Sequence, residues 1–374
     1  MKSGSDQRIV MTLDAGGTNF VFSAVKANEE IVPQLTMPSH AHDLTQCLAT
    51  IVKGFSEIKS KLPYEPVAIS FAFPGPADYP KGIIGDLGNL PAFRGGVALG
   101  PMLEERFKMP VFINNDGDLF AYGESIAGFL PYVNGLLETA GSPKRYENLV
   151  GLTLGTGFGG GIVSKGELFL GDNSSAGEVW LLRNKLDPAM NAEEGASIRA
   201  VQKTYARATG VSVEQAPSPK DIYEIGMGTQ KGNKSAAIAA YHGMGEVVGD
   251  ALANTLTLID GLAVIGGGVA GAHSLFLTAL VGEMNAPYVF PDGQKRPRLV
   301  SKVYNLEDER ERLEFLRGGK TTIRIPQSER TIVYDPIRRT GVGITRLGTS
   351  KAVSVGAYAF ALNALDAHTG THAR

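Results

Sequence analysis

Two stretches of this chain repeat one pattern, and that repetition limits the fold more than any other feature. Residues 9–25 read IVMTLDAGGTNFVFSAV: an apolar, β-branched strand, a glycine-rich turn, and a second apolar strand. About 140 residues later, 148–163 read NLVGLTLGTGFGGGIV in the same order. Strand, glycine turn, strand is the chemistry of a β-hairpin. A hairpin that recurs predicts two related domains, each built around one copy; two unrelated hairpins are the plainer alternative.

Length agrees with two domains, because 374 residues exceed one ordinary hydrophobic core. Between the copies the apolar spacing predicts a helix over 44–61, a buried strand at 66–73 (PVAISFAF) and a helix at 102–107. A strand at 110–114 (PVFIN) and a helix over 119–129 follow. Beyond the second copy, 197–209 and 235–258 are helical, and 262–265 (LAVI) form a short buried strand. Alternating strands and helices make the fold class α/β. Residues 287–343 are richer in charge and proline, with short strands at 322–325 and 331–334 and a helix near 308–316. They predict an elaboration on the second domain, and 352–365 (AVSVGAYAFALNAL) a closing helix. The expected division is 1–117 with 352–374 as an N-terminal domain, and 118–351 as a C-terminal domain carrying the elaboration at about 287–343.

A net charge of −2 gives no electrostatic reason to expect nucleic acid or an anionic membrane as partner. Cys47 is the one cysteine, which rules out an intramolecular disulfide and a multi-cysteine zinc site. It falls in an apolar stretch, so a buried, inert thiol is expected. Residues 1–8 are polar and no run of about 18 apolar residues occurs, so neither a signal peptide nor a membrane span is expected, and the expected location is the cytoplasm. The 47 glycines exceed the usual share of about 7% and gather at 16–17, 155–161 and 266–271. Such clusters mark tight turns or close backbone approach to a ligand.

The first cluster follows a strand and includes Asp14, Gly16, Gly17 and Thr18. A glycine pair lets backbone N–H groups approach phosphate oxygens, the threonine hydroxyl adds a donor, and an aspartate suits Mg²⁺ held through water. A tight hairpin in which Asp14 caps its own turn explains the same residues equally well. Gly155-Thr156-Gly157 is a second such loop, and two loops suit a triphosphate better than one. The third cluster, 266–271, fits G-x-G-x-x-G after a strand. As a dinucleotide fingerprint it lacks support, because Pro287 and the polar residues beyond stand where a second parallel strand is expected. Its other use is the floor of an adenosine pocket. Gly318-Gly319-Lys320-Thr321 resembles the end of a P-loop, but Glu314 occupies the place of the leading glycine.

Asn114-Asn115-Asp116-Gly117-Asp118 ends the strand PVFIN and opens a helix. A carboxylate at that point is placed to accept the proton of a hydroxyl during phosphoryl transfer, an effect of roughly 10²–10⁴-fold. Capping the helix is the competing use for Asp116, and for Asp118 as well. Asn89, Asn115, Glu178 and Glu193 are amides and carboxylates of the kind that pair with sugar hydroxyls; singly, each also reads as an exposed polar residue.

Taken in order, these motifs resemble the ROK (repressor, open reading frame, kinase) family of the actin-like ATPase superfamily, relatives of hexokinases. The matching segments are LDAGGTN, PGPAD with NLPAF, NNDGDLFAYGE, LTLGTGFGGGIV, AGE at 176–178, VIGGGVAG and LGTSKAVSVGAYAFAL. The resemblance implies two actin-like (ribonuclease H-like) domains with a cleft between them, and an ATP- and Mg²⁺-dependent kinase acting at the C6 hydroxyl of a hexose, glucokinase-like. It implies Asp116 as general base and Asp14 near Mg²⁺. It implies Gly16, Gly17, Thr18, Asn19, Gly155, Thr156 and Gly157 around the phosphates, with Gly267 and Gly268 at the adenosine. Asn89, Asn115, Asp116, Glu178 and Glu193 match sugar-contacting positions, and a homodimer is implied.

Two departures stand out. Most members follow the glutamate with Gly-His and a cysteine-rich zinc loop, whereas this chain reads Glu178-Val179-Trp180-Leu181 with no later cysteine. No zinc is therefore expected, and the sugar pocket is altered at Leu181. The second departure is the segment 287–343. ROK repressors carry an N-terminal helix-turn-helix, but only eight residues precede the first strand here, so DNA binding is not expected. A catalytically silent sugar-binding or regulatory protein is the main alternative, and a flavin or nicotinamide oxidoreductase using 266–271 a third. Glucose, fructose, mannose and N-acetylhexosamine remain open as the sugar.

Overall fold

The computed structural model describes residues 3–88 and 90–371. The chain divides into two units, Met1–Gly128 with Glu167–Gly177 and Leu347–Arg374, and Phe129–Gly166 with Glu178–Arg346. Residues 118–128 thus group with the first unit, where the sequence reading cut the chain after residue 117. Among the described residues no helix is long and apolar enough to cross a membrane.

In the first unit, β1 (Val10–Ala15) and β2 (Asn19–Lys26) form the anticipated hairpin, with Val10 opposite Val25 and Ala15 opposite Phe20. β3 (Ala68–Ala72) pairs parallel to β1, and β4 (Val111–Asn114) parallel to β3. The order is β2-β1-β3-β4, with Glu29–Glu30 and Leu35–Pro38 along the outer edge of β2. β3 is buried at every position, as a parallel strand covered on both faces should be.

Helix α1 (Leu44–Ser60) starts where the Asp43 carboxylate accepts the Gln46 N–H at 3.0 Å. It buries Cys47, Ile51, Phe55 and Ile58, one stripe at helical spacing. The Cys47 thiol is pushed up to about 11 by burial, and then by the Asp43 charge, so it stays protonated and inert. Phe22, Phe55, Phe71, Phe73 and Phe93 form a run of rings with successive centroids 5.2, 5.8, 6.1 and 5.3 Å apart. Each fully buried ring contributes about 2–3 kcal/mol.

After α2 (Leu99–Phe107) and β4 comes α3 (Asp116–Ile126), which ends three residues before the expected Phe129. The closing helix, Thr349–Thr371, lies along α3. A Cβ on Gly123 would stand 1.9 Å from the Ala352 carbonyl oxygen, and one on Gly356 2.0 Å from that of Leu119. Glycine at both places lets the two helices touch backbone to backbone.

The second unit opens with α4 (Phe129–Thr139) and repeats the hairpin as β5 (Leu149–Leu154) and β6 (Phe158–Ser164), Leu149 opposite Val163 and Leu154 opposite Phe158. Helices α5 (Ile198–Thr209), α6 (Pro219–Met227) and α7 (Lys234–Ile259) precede β7 (Leu262–Gly266), which pairs parallel to β5. Then follow α8 (His273–Asn285), β8 (Lys302–Asn305), α9 (Glu309–Arg317) and β9 (Arg339–Ile344).

β9 pairs parallel to β7 and β8 parallel to β9, so these five strands run β6-β5-β7-β9-β8. This corrects the expectation that no parallel strand follows the 266–271 cluster. β9 reads RTGVGI, weak in strand signal because of its two glycines, and its partner β7 lies about 70 residues upstream. Nor is 287–343 merely an elaboration: β8, α9 and β9 belong to the body of the unit. The hairpins Tyr288–Val289 with Lys295–Arg296, and Thr321–Arg324 with Thr331–Tyr334, form separate two-stranded sheets.

Candidate active site

Parallel pairing aligns the carboxyl ends of the first unit's strands: Asp14 stands opposite Ala72, and Ala72 opposite Asn114. Ligands meet α/β sheets at such ends. In the turn after β1 the Gly16 N–H donates to the Asn19 carbonyl at 3.1 Å. Ser39 pins the same turn: its hydroxyl donates to the Gly17 carbonyl at 2.6 Å, and its N–H to that of Thr18 at 2.9 Å. Asp14, Thr18 and Asn19 are exposed.

Asn115 is the residue that caps α3. Its side-chain oxygen accepts the Gly117 N–H at 2.8 Å, and Asp116 follows as the first helical residue. Neither Asp116 nor Asp118 has the capping role; Asp118 is 2% exposed. Asp116 Oδ1 also accepts the Gly117 N–H, at 2.9 Å. Although solvent reaches its surface, the Asp116 carboxyl is ringed by protein, and this desolvation raises its pKa against the lowering effect of the backbone N–H groups. Asp14 is raised too, first by the protein crowded around its solvent-reached carboxyl and then by the charge of Asp116. The Asn115 amide lies 3.5 Å from the Tyr79 hydroxyl, which donates to the Phe73 carbonyl at 3.0 Å. Asn89 lies outside the described residues.

In the second unit the turn between β5 and β6 holds Gly155, Thr156 and Gly157, with the Gly155 N–H donating to the Gly157 carbonyl at 3.0 Å. Glu193 braces this turn: Oε2 accepts the Phe158 N–H at 3.0 Å, and Oε1 receives Arg199 Nη2 at 3.2 Å. The 266–271 cluster lies against the end of β5, where the Val269 N–H donates to the Leu154 carbonyl at 3.0 Å. Gly267 has φ +86°, and a Cβ there would sit 2.2 Å from the Leu154 oxygen. Only glycine fits. At Gly268 an added Cβ would meet nothing within 4 Å, so that position faces open space.

Glu178 accepts a hydrogen bond from the Trp180 indole, and the short turn Val179–Leu181 packs against β6. Leu181 is 59% exposed. The structure therefore gathers Asp14, Gly16, Gly17, Thr18, Asn19, Asn115 and Asp116 at one strand edge of the first unit. It gathers Gly155, Thr156, Gly157, Glu193, Gly267 and Gly268 at one strand edge of the second. Glu178 is tied instead to Trp180. Sequence reasoning did not single out Ser39, Tyr79, Trp180 or Arg199. Of these only Trp180 carried a signal, as the single tryptophan, two residues from Glu178.

A model of the ROK family matches residues 10–305. The crystal structure of a glucokinase from Parabacteroides distasonis is similar with a TM-score of 0.89 at 53% identity, over 97% of this chain and 99% of that one. A glucokinase of Halalkalibacterium halodurans is 27% identical over 304 residues, 75% of this chain and 86% of its own. An N-acetyl-D-glucosamine kinase of Vibrio cholerae is 26% identical over 274 residues, 70% and 85% of the two chains. The parallel strands beyond β7 remove the ground on which a dinucleotide fingerprint was set aside, and the family match takes its place. With two units of the same hairpin-led sheet and a family match over most of its length, the chain is a two-domain protein of actin-like fold and belongs to the ROK family.

Proposed function

We propose that this protein is a sugar kinase that transfers the terminal phosphoryl group of ATP to the C6 hydroxyl of a hexose, glucose first, acting in the cytoplasm as a homodimer. The observation that carries the reading is the division of labour at the start of α3: Asn115 caps the helix, which leaves the Asp116 carboxylate for chemistry. In the reaction the sugar O6 forms a bond to the γ-phosphorus, the bond to the β,γ-bridging oxygen breaks, and the O6 proton passes to Asp116. A carboxyl with a raised pKa is a better proton acceptor than an ordinary one.

The Asp14 carboxylate makes no hydrogen bond among the described residues, and it is repelled by Asp116, an arrangement that fits a divalent cation held through water. Mg²⁺ bound there with ATP would neutralise charge on the phosphates. The turn at Gly16, Gly17, Thr18 and Asn19 and the loop at Gly155, Thr156 and Gly157 present backbone N–H groups and a hydroxyl to phosphate oxygens. Gly267 and Gly268 take the adenosine. Asn89, Asn115, Asp116, Glu178 and Glu193 are assigned to the sugar, with Glu178 oriented by the Trp180 indole.

Sugar-stimulated ADP release, measured across glucose, fructose, mannose and N-acetylated hexosamines, tests the reading. Release with at least one hexose is expected, together with a loss in kcat/KM of roughly 10²–10⁴-fold in Asp116→Asn. No release with any sugar would overturn it. Leu181, standing where most members have histidine, favours a second reading, a sugar-binding protein without turnover. That reading predicts hexose binding by calorimetry with no ADP formed.

A further inference from the structure

We propose that the second unit carries a separate site for a small phosphorylated sugar or polyol, in a cavity at the amino-terminal ends of β7, β9 and β8. The cavity measures about 340 Å³, and its lining includes Lys144, Asp260, Arg298, Ser301, Arg338 and Thr340. That size falls within the range of small-molecule pockets, roughly 300–1,000 Å³. Asp260 and Gly261 lead into β7, Arg338 into β9, and Ser301 into β8. The glycine cluster at 266–271 stands at the other end of β7, about 15 Å away by strand rise. The two sites cannot be one.

The lining asks for a ligand with two kinds of chemistry. Lys144 is half-buried, and among the described residues it forms no ion pair. Its pKa is lowered, by burial first and then by the charge of Arg339, with Arg338 adding to the effect and the Asp335 and Asp260 charges opposing it. It lies 5.5 Å from the Tyr146 ring centroid, and burial with the two guanidiniums outweighs the two carboxylates, so further negative charge would favour it. Arg338 is exposed and likewise forms no ion pair among the described residues. Arg298 is already neutralised, by Asp250 at 2.6 Å and Glu283 at 2.8 Å, and serves as wall. A dianionic phosphate would satisfy Lys144 and Arg338 together.

The lining also holds an acceptor that needs donors. Asp260 terminates α7 in the left-handed region (φ +47°), and its carboxylate has no ion-pair partner among the described residues. The carboxyl end of a helix adds partial negative charge beside it. Sugar hydroxyls can donate there. A bare phosphate would place like charge against Asp260, and a neutral sugar would bring no further negative charge to Lys144 and Arg338. A phosphate monoester of a polyol meets both demands. The product of the proposed reaction belongs to this class, but binding at this site does not rest on the kinase reading.

Calorimetric titration of the full chain with glucose 6-phosphate, inorganic phosphate and glucose tests the proposal, on wild type and on Lys144→Met, Lys144→Arg, Arg338→Gln and Asp116→Asn. Glucose 6-phosphate is expected to bind wild type, Lys144→Arg and Asp116→Asn alike. Affinity should fall about tenfold or more in Lys144→Met and in Arg338→Gln. Inorganic phosphate should bind at least about tenfold more weakly than the ester. Any hexose turnover measured before product accumulates should be unchanged in Lys144→Met. The proposal is overturned by absence of binding, by equal affinity for inorganic phosphate, or by unaltered affinity in both Lys144→Met and Arg338→Gln. Loss of turnover in Asp116→Asn with ester binding intact separates this site from the catalytic one.

Discussion

Asp116 enters α3 directly after its cap, and crowding by protein around a solvent-reached carboxyl raises its pKa. A carboxyl whose pKa is higher in the folded chain than in the unfolded one binds its proton more tightly when folded. Its stabilising effect is complete below the unfolded pKa and is lost as pH rises through the folded one. Asp14, raised by the protein crowded around it and by Asp116, behaves the same way. At neutral pH the ionised pair therefore works against folding. Asp116→Asn is expected to raise the melting temperature while lowering kcat/KM; a lower melting temperature would contradict this account. The base acts only when ionised, so kcat/KM should fall on acidification with a midpoint above the usual Asp value of about 3.9. A pH–rate profile that stays flat down to that value would exclude Asp116 as the base. Trp180, the single tryptophan, is hydrogen-bonded to Glu178, so hexose binding at Glu178 should shift its fluorescence. Titration with glucose against an Asp116→Asn background, where turnover is suppressed, reads that shift cleanly.

Among the elements, the two hairpins were legible because their apolar alternation and glycine turns are local signals, sufficient within about fifteen residues. Helix α1 and the long helix α7 were legible for the same reason, through helical spacing of apolar residues. β9 was not, because the partner strand that gives its two glycines a use is remote in sequence. The end of α3 was also missed, since the chain leaves the helix at Ala127 with no proline to announce it. Two substitutions test elements at the candidate site. Asn115→Ala removes the cap of α3 and should cost about 1 kcal/mol in urea unfolding, with a further loss of activity as Asp116 loses its fixed setting. Gly267→Ala meets both a positive φ and the Leu154 carbonyl, so it should destabilise by more than about 1 kcal/mol. An unchanged urea midpoint in Gly267→Ala would mean that the β7 turn is looser than its geometry indicates.

At the scale of the molecule, the second unit buries a charge pair that no local pattern in the chain announces. Arg339 is 0% exposed and pairs at 2.6 Å with Asp335, itself 4% exposed. Its guanidinium also donates to the Phe315 carbonyl at 2.7 Å. Burial works against the Asp335 charge, but the Arg339 hydrogen bond and the Gly319 and Ile337 N–H groups outweigh it and hold its pKa below the ordinary value. Stability from this group is present above the unfolded pKa and is lost as pH falls through the folded one. Arg339→Met, which strands the buried carboxylate, should cost about 3–5 kcal/mol in urea unfolding. Adding Asp335→Leu to it should recover most of that loss, and failure to do so would refute the pairing as the cause. The sequence by itself determined the two hairpin-led α/β units, the glycine clusters and the family, because each rests on residues close together in the chain. Tertiary structure alone decided that Asn115 and not Asp116 caps α3 and that Glu193 braces a turn. It also decided that Lys144, Asp260 and Arg338 share one cavity. Those outcomes depend on strand register and on packing between distant segments, which no local pattern encodes.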